Sequence, residues 1–432
     1  MHLRKEVSEL LAAGVVDQET AERIEQYYQS KSTPSQNKLV IIFGIIGALL
    51  VGLGVVLIVT YNWHNLSRLQ KNIVAFLPMI LGQLVCGYVL WKQKDSITWR
   101  EGSATFLILA ISGCLSLINL IYNIAGSMES FLLVWVLLTL PVAYVMRSSF
   151  ASLFYIIGIT WYGCEAAYWG YSDSEDYLYW GLLLLILPFY IIRWKQGMER
   201  YFLIAHHWLI PLSVIICLGT LADEHEEFLF VAYMSLFGFL YLLGHSPWLE
   251  NEKLRHNGYK VLGAIGTVTL LLIMSFDGFW QEMRERELNT GQWPMSPEGL
   301  AAIVLTAGAL FMLWRNKGQS SGSPLKPAET VFLVFIVIFI TGLYSPVAPI
   351  LINMVILMLS LLTIREGVKA NHFGILNYGL LIITLLIFCR FFDSDIHAIF
   401  KGLLFVAVGF AFFIANYLMA RQKKLERLTK ED

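Results

Sequence analysis

The sequence predicts an all-α integral membrane fold, a polytopic bundle of about fourteen transmembrane helices behind a small soluble N-terminal helical hairpin. Three observations predict it. The chain is 57% hydrophobic and only 15% charged, where a soluble globular domain holds about 25% charged residues. Long apolar runs recur along almost its whole length, and each can cross a hydrocarbon core of roughly 30 Å at about 1.5 Å per residue. The basic residues, finally, are not spread evenly among the segments that join those runs.

The apolar runs fall near 39–60, 72–91, 103–122, 130–146, 149–169, 177–193, 201–221, 227–244, 259–280, 299–314, 329–344, 347–364, 374–390 and 398–420. Placing the N-terminus inside and alternating puts 25 of the 31 Lys and Arg residues on the inner side. The outer side then holds only Arg68, Lys71, Arg284, Arg286, Arg390 and Lys401. Such asymmetry is the positive-inside rule, so both termini are expected in the cytoplasm and the chain in a cytoplasmic (inner) membrane. The chain opens on a polar segment and its first apolar run is long, so no cleavable signal peptide is expected.

Five segments follow from this pattern. Residues 1–37 form a cytoplasmic hairpin and linker, 38–315 a block of about ten helices, 316–328 a cytoplasmic loop, 329–420 a block of about four helices, and 421–432 a basic tail. In the hairpin, Leu3, Val7, Leu10 and Leu11 share one face, Gly14 fits a helix C-cap and Asp17 the N-cap of a second helix. Two faces this small do not make an independent core. The hairpin is therefore expected to pack on the membrane domain, on a copy of itself or on a protein partner.

The N-terminal "LLAAGVVDQETAERIEQYY" resembles the hairpin that opens the bacterial family called domain of unknown function 2157. The first apolar run, with Gly44, Gly47, Gly52 and Gly54, followed by "YNWHNLSRLQK", is similar to that family's glycine-rich first helix and Asn-Trp turn. "CRFFDSDIHAIFKGLLFVAVGFAFFIANYLMARQKK" resembles its Arg-(Tyr/Phe)-Phe-Asp hairpin. The resemblance implies a bacterial multi-pass membrane protein of the cell envelope. It implies no activity.

Candidate ligand groups cluster in two outward turns. Trp63, Arg68 and Lys71 lie in one, and Arg390, Asp393, Asp395 and Lys401 in or beside the other. An Arg at a helix end pairs with a nearby carboxylate or grips a phosphate in a bidentate fork. The same residues read equally as snorkelling anchors with local ion pairs. Within the apolar runs, Glu165, His206 and His207 are ionisable groups of the kind that mark pathways in membrane proteins. Adjacent histidines point about 100° apart on a helix, so the pair does not chelate one metal. Asn119, Asn353 and Asn416 read as interhelical hydrogen-bond glue.

The outer loops are acidic, with Asp173, Glu175 and Asp176, Asp223, Glu224, Glu226 and Glu227, and Asp277 to Glu287. Trp161, Tyr168, Trp169, Tyr177, Tyr179, Trp180, Trp280 and Trp293 crowd the same boundary, as an aromatic belt or as a cleft for a sugar or cationic ligand. The five cysteines all lie in apolar runs and read as small buried hydrophobes. No metal site and no cofactor is expected. The net charge of −1 gives no argument for nucleic acid.

No P-loop, Gly-x-Ser-x-Gly elbow or His-Glu-x-x-His motif is present. The turn YNWHNLSRLQK has no carboxylate, which argues against a lipid-sugar glycosyltransferase. No catalytic residue is assigned, and a non-enzymatic role is the expectation. Three readings stay open: a transporter or flippase of lipid or lipid-linked substrate, a scaffold or regulator docking a partner through its hairpin, and an envelope enzyme acting at the outer face through Arg390, Asp393 and Glu165.

Overall fold

The computed structural model describes residues 63–169, 177–250, 252–285, 293–319 and 327–391 without a break, with isolated positions within 11–24, at Tyr61 and within 399–417. The described residues are all-helical, with no strand among them. The chain divides into two compact units, Met1–Ala75 and Phe76–Asp432.

In the first unit the conformations follow from local chemistry. Gly14 takes φ +70 and its N–H reaches Leu11 O at 3.1 Å, a backbone shape that glycine adopts without a Cβ penalty. Three residues on, the Asp17 carbonyl accepts the Ala21 N–H at 3.0 Å. A hydrogen bond with the Thr20 side chain holds the Asp17 carboxyl below the usual carboxylate range. Near the unit's end, Ser67 and Gln70 form a capping box. The Ser67 N–H donates to Gln70 Oε1 at 2.8 Å, and the Gln70 N–H to Ser67 Oγ at 3.4 Å. This box starts helix α1, Arg68–Lys92. The glycines at 44, 47, 52 and 54 and the first expected span lie outside the described residues.

The second unit continues with α2 Ile97–Tyr122, α3 Met128–Met146, α4 Ser149–Cys164, α5 Leu178–Lys195, α6 Arg200–Leu218 and α7 Phe228–Gly244. After them come α8 Gly258–Ile273, α9 Asp277–Glu285, α10 Pro297–Gln319, α11 Pro327–Tyr344, α12 Ala348–Lys369 and α13 Phe373–Phe391.

The span count is corrected downward from fourteen. Among the described residues nine helices are long and apolar enough to cross a membrane, or up to ten if a bent pair is one span. The run expected at 149–169 is a 16-residue α-helix that changes into a π-helical turn at Glu165–Trp169. The run at 227–244 gives a helix of 17 residues. The run at 259–280 breaks after Ile273 and bends by 72° into α9. The last expected span, 398–420, is described only at isolated positions.

Two apolar cores hold the second unit. One gathers residues of α1 to α6 around Tyr155, Ile159, Tyr162 and Tyr179. The other gathers residues from the end of α6 through α13 around Phe237, Trp280, Phe335 and Phe339. Trp180, Trp194 and Val214 pack against both. Close helix contact needs glycine at α7–α8, where a Cβ on Gly263 would sit 2.7 Å from Phe237 O. The outward residues stay apolar: Leu84, Leu184 and Val337 are each about two-thirds exposed. A helix satisfies its own backbone, so such faces rest against lipid tails at little cost. The chain is an integral multi-pass membrane protein in contact with the bilayer.

Candidate functional site

A large hollow lies between α5, α6 and α10, with a volume of about 930 Å³. Its walls are mostly apolar: Val214 and Leu218 from α6, and Leu300, Ala301, Val304 and Leu305 from α10. Tyr177 and Trp180 line it at the start of α5. One end is polar, where Asp223, Glu224 and His225 of the α6–α7 connection meet Ser296. No lysine or arginine lines it among the described residues.

Glu298 builds that polar end. It sits in the first turn of α10, where a carboxylate is favoured by the helix dipole, and it has no solvent exposure. Its Oε1 accepts the backbone N–H of Asp223 at 2.6 Å and of His225 at 3.2 Å. Glu298 thus folds the connection over the hollow and leaves the Asp223 and Glu224 side chains exposed. His225 and Glu227, both buried, face each other at 3.7 Å. Behind them Phe228 stacks on Trp293, with ring centroids 4.6 Å apart and planes 12° from parallel. An apolar chamber with carboxylates at one end, and no lysine or arginine among its described lining residues, fits a molecule with an apolar body and a positive head.

A smaller cavity of about 310 Å³ opens between α7, α8, α12 and α13. Its lining mixes Lys260, Glu366, His245 and Tyr241 with apolar side chains.

Within the second unit, Glu165, His206, His207 and Arg390 are not among the residues that line either hollow. Trp63 lies in a short 3-10 turn with the Lys71 ammonium 5.2 Å from its ring centre. Arg68 is the first residue of α1. Arg390 reaches the break between α8 and α9, where its Nη2 donates to Ser275 Oγ at 3.0 Å and its guanidinium lies 4.5 Å from the Phe276 ring centre. The same break takes a bond from Asn353 Nδ2 to Ser275 O at 3.4 Å and one from Trp280 Nε1 to Met274 O at 2.8 Å. Asp393, Asp395 and Lys401 lie outside the described residues.

Glu165 is half-buried where α4 turns into the π-helix. That turn seats Tyr168, whose hydroxyl donates to Ile216 O at 2.7 Å, beside the α6 end of the large hollow. His206 and His207 are both buried and point apart. His206 Nδ1 meets Phe202 O and its Nε2 meets Ser152 Oγ, each at 2.6 Å. His207 Nδ1 faces His256 O at 3.2 Å, and its ring packs against Tyr190, Trp194 and Tyr259. The pair is thus set in packed aromatic surroundings.

The sequence reading named Tyr177 and Trp180 as an aromatic belt or a cleft for a sugar or cationic ligand, and Asp223 and Glu224 as acidic loop residues, and it passed over His225 and Glu298. A glutamate just after a proline at the head of an apolar run was the available signal for Glu298.

Residues 8–152 match the family model described as "Predicted membrane protein (DUF2157)". No curated protein and no solved structure matches the chain.

Proposed function

We propose that this chain, whose residues 8–152 belong to the DUF2157 family, is a membrane transporter or flippase for an amphiphile with a cationic headgroup. The observation that carries the reading is the 930 Å³ hollow, apolar along α6 and α10, with Asp223 and Glu224 at one end and no lysine or arginine among its described lining residues. An acyl or alkyl body would lie along Val214, Leu218, Ala301 and Val304. A positive head would meet the two carboxylates, with Tyr177 and Trp180 offering ring faces to the same charge. The charge distribution of the loops would put this end of the bundle at the outer face.

The test is equilibrium binding to the full chain in nanodiscs, read by fluorescence. The probe is dansyl-labelled dodecyltrimethylammonium, and a dansyl-labelled dodecyl sulfonate serves as the anionic counterpart. The cationic probe is expected to bind more tightly. Asp223→Asn with Glu224→Gln should weaken it by about three- to tenfold, since each exposed charge pair contributes roughly 0.2–1 kcal/mol. Ala301→Trp should narrow the apolar part of the chamber and weaken binding of both probes. If Ala301→Trp binds the cationic probe as the unchanged protein does, the chamber is not its site and the reading fails. Movement is read in liposomes holding a cationic lipid with an NBD-labelled head, from the fraction that dithionite quenches. An unchanged quenched fraction with intact binding would leave a binding protein or scaffold rather than a transporter.

A further inference from the structure

At the opposite end of α5 from this chamber, the sign of the charge reverses. Arg100 sits in the first turn of α2, Arg147 caps the C-terminus of α3, and Arg193 lies in the last turn of α5. The charges of Arg100, Arg147 and Glu101 all act on Arg193, so the four groups share one neighbourhood. Three cations there face a single carboxylate.

That carboxylate is already engaged. Glu101 Oε1 accepts the Ser149 N–H at 2.9 Å, and Oε2 accepts the Phe150 N–H at 2.9 Å and the Ser148 hydroxyl. It closes the N-terminus of α4, where the free backbone donors are. No carboxylate forms an ion pair with Arg100 or Arg193 among the described residues. The Nε atoms of both arginines are buried without a hydrogen-bond partner, and so is Ser149 Oγ on the residue whose amide Glu101 holds.

Two features set this group apart from ordinary interfacial arginines. A snorkelling arginine sends its head into water, where every N–H is solvated, whereas these Nε donors are shut away from it. Arg100 also stands at a helix N-terminus, the end whose dipole disfavours a cation. An anion resting among the three guanidinium groups removes both costs.

We propose that Arg100, Arg147 and Arg193, with Ser149 Oγ, form a binding site for a phosphoryl anion. Guanidinium forks match phosphate oxygens in pairs, and basic pockets between transmembrane helices take anionic headgroups. The same chemistry fits the headgroup of an anionic phospholipid and a free phosphate. The site is independent of the cationic chamber and stands or falls without it.

The test is native mass spectrometry of the full chain, released from detergent after incubation with phosphatidylglycerol or with phosphatidylcholine. The unchanged protein is expected to retain phosphatidylglycerol about tenfold more than phosphatidylcholine. Arg100→Gln with Arg193→Gln should bring the two lipids level. Arg200→Gln should change nothing, because Arg200 lies on an exposed surface with Glu252 as its partner at 3.5 Å. If the double variant does not fold, Arg147→Gln on an exposed side chain and Arg193→Lys, which keeps charge but not the fork, are each expected to lower the preference by about threefold. Inorganic phosphate that displaces phosphatidylglycerol assigns the site to a soluble phosphoryl anion, and retention against it assigns the site to lipid. Equal retention of both lipids by the unchanged protein, with no effect of phosphate, overturns the proposal. So does a folded double variant that keeps the preference.

Discussion

Glu298 and Glu101 do the same local work at opposite ends of the second unit. Each is a carboxylate that accepts two backbone N–H groups of a neighbouring segment and so fixes where that segment turns. The consequences differ. Glu298 is fully buried and folds a connection whose other carboxylates are left to face an apolar hollow. Glu101 is half-exposed and closes a helix end, so that among the described residues no carboxylate forms an ion pair with Arg100 or Arg193 beside it. A glutamate used as backbone glue drops out of the local charge balance. The sign of what surrounds it then sets which ligand the site can take.

The largest expected effect tests the first half of this comparison. Glu298→Ala strands the amides of Asp223 and His225 away from water, at about 1–3 kcal/mol for each. A destabilisation of about 3 kcal/mol is expected, seen as a lower thermal midpoint in detergent. Glu298→Gln keeps an acceptor and should recover most of it. Glu101→Ala removes three donors' acceptor, but water reaches a half-exposed site, and about 1 kcal/mol is expected. If Glu101→Ala proves the more damaging, burial is not what separates the two glutamates. A second variant sharpens the same point from the backbone side. A Cβ on Gly299 would overlap the Trp293 carbonyl oxygen. Gly299→Ala should displace the Trp293–Met295 turn, cost about 1–3 kcal/mol by overpacking and loosen the Phe228–Trp293 stack. Tryptophan fluorescence measures the last effect.

Most helices were legible because a transmembrane helix leaves a long apolar run and nothing else needs to be right. The runs at 103–122, 130–146 and 347–364 needed only that. What hydropathy cannot see is a bend. Averaged over a window, Ile273 to Trp280 reads as a continuation of α8, yet Trp280 and Asn353 cap its last carbonyls and the chain turns by 72°. The 16-residue helix that changes to π at Glu165 is hidden in the same way. The chamber was legible in its parts and not in its assembly. Tyr177 and Asp223 are far apart in sequence, and only the packing of α5 against α6 and α10 brings them to one wall. Glu298 and Glu101 were not marked at all, because their role lies in backbone amides of distant segments, which carry no residue code.

The smallest predicted effect concerns the broken helix, a region where the sequence reading and the structure meet on one residue. Arg390 was marked as a candidate ligand group, and its described contacts are Ser275 Oγ and the face of Phe276 at the break. A charge-assisted bond to the buried Ser275 hydroxyl is worth about 1.5–3 kcal/mol and a cation–π contact about 0.5–1 kcal/mol, and lysine keeps part of each. A double-mutant cycle between Arg390→Lys and Ser275→Ala isolates their pairwise part, since lysine keeps the charge and loses the planar fork. A coupling of about 0.5–1 kcal/mol in thermal stability is expected if Arg390 serves the break. A coupling of zero, with both variants folded, would mean that the Arg390 fork is spent elsewhere. The chamber and the arginine cluster would then have a third charged site beside them, at the break between α8 and α9.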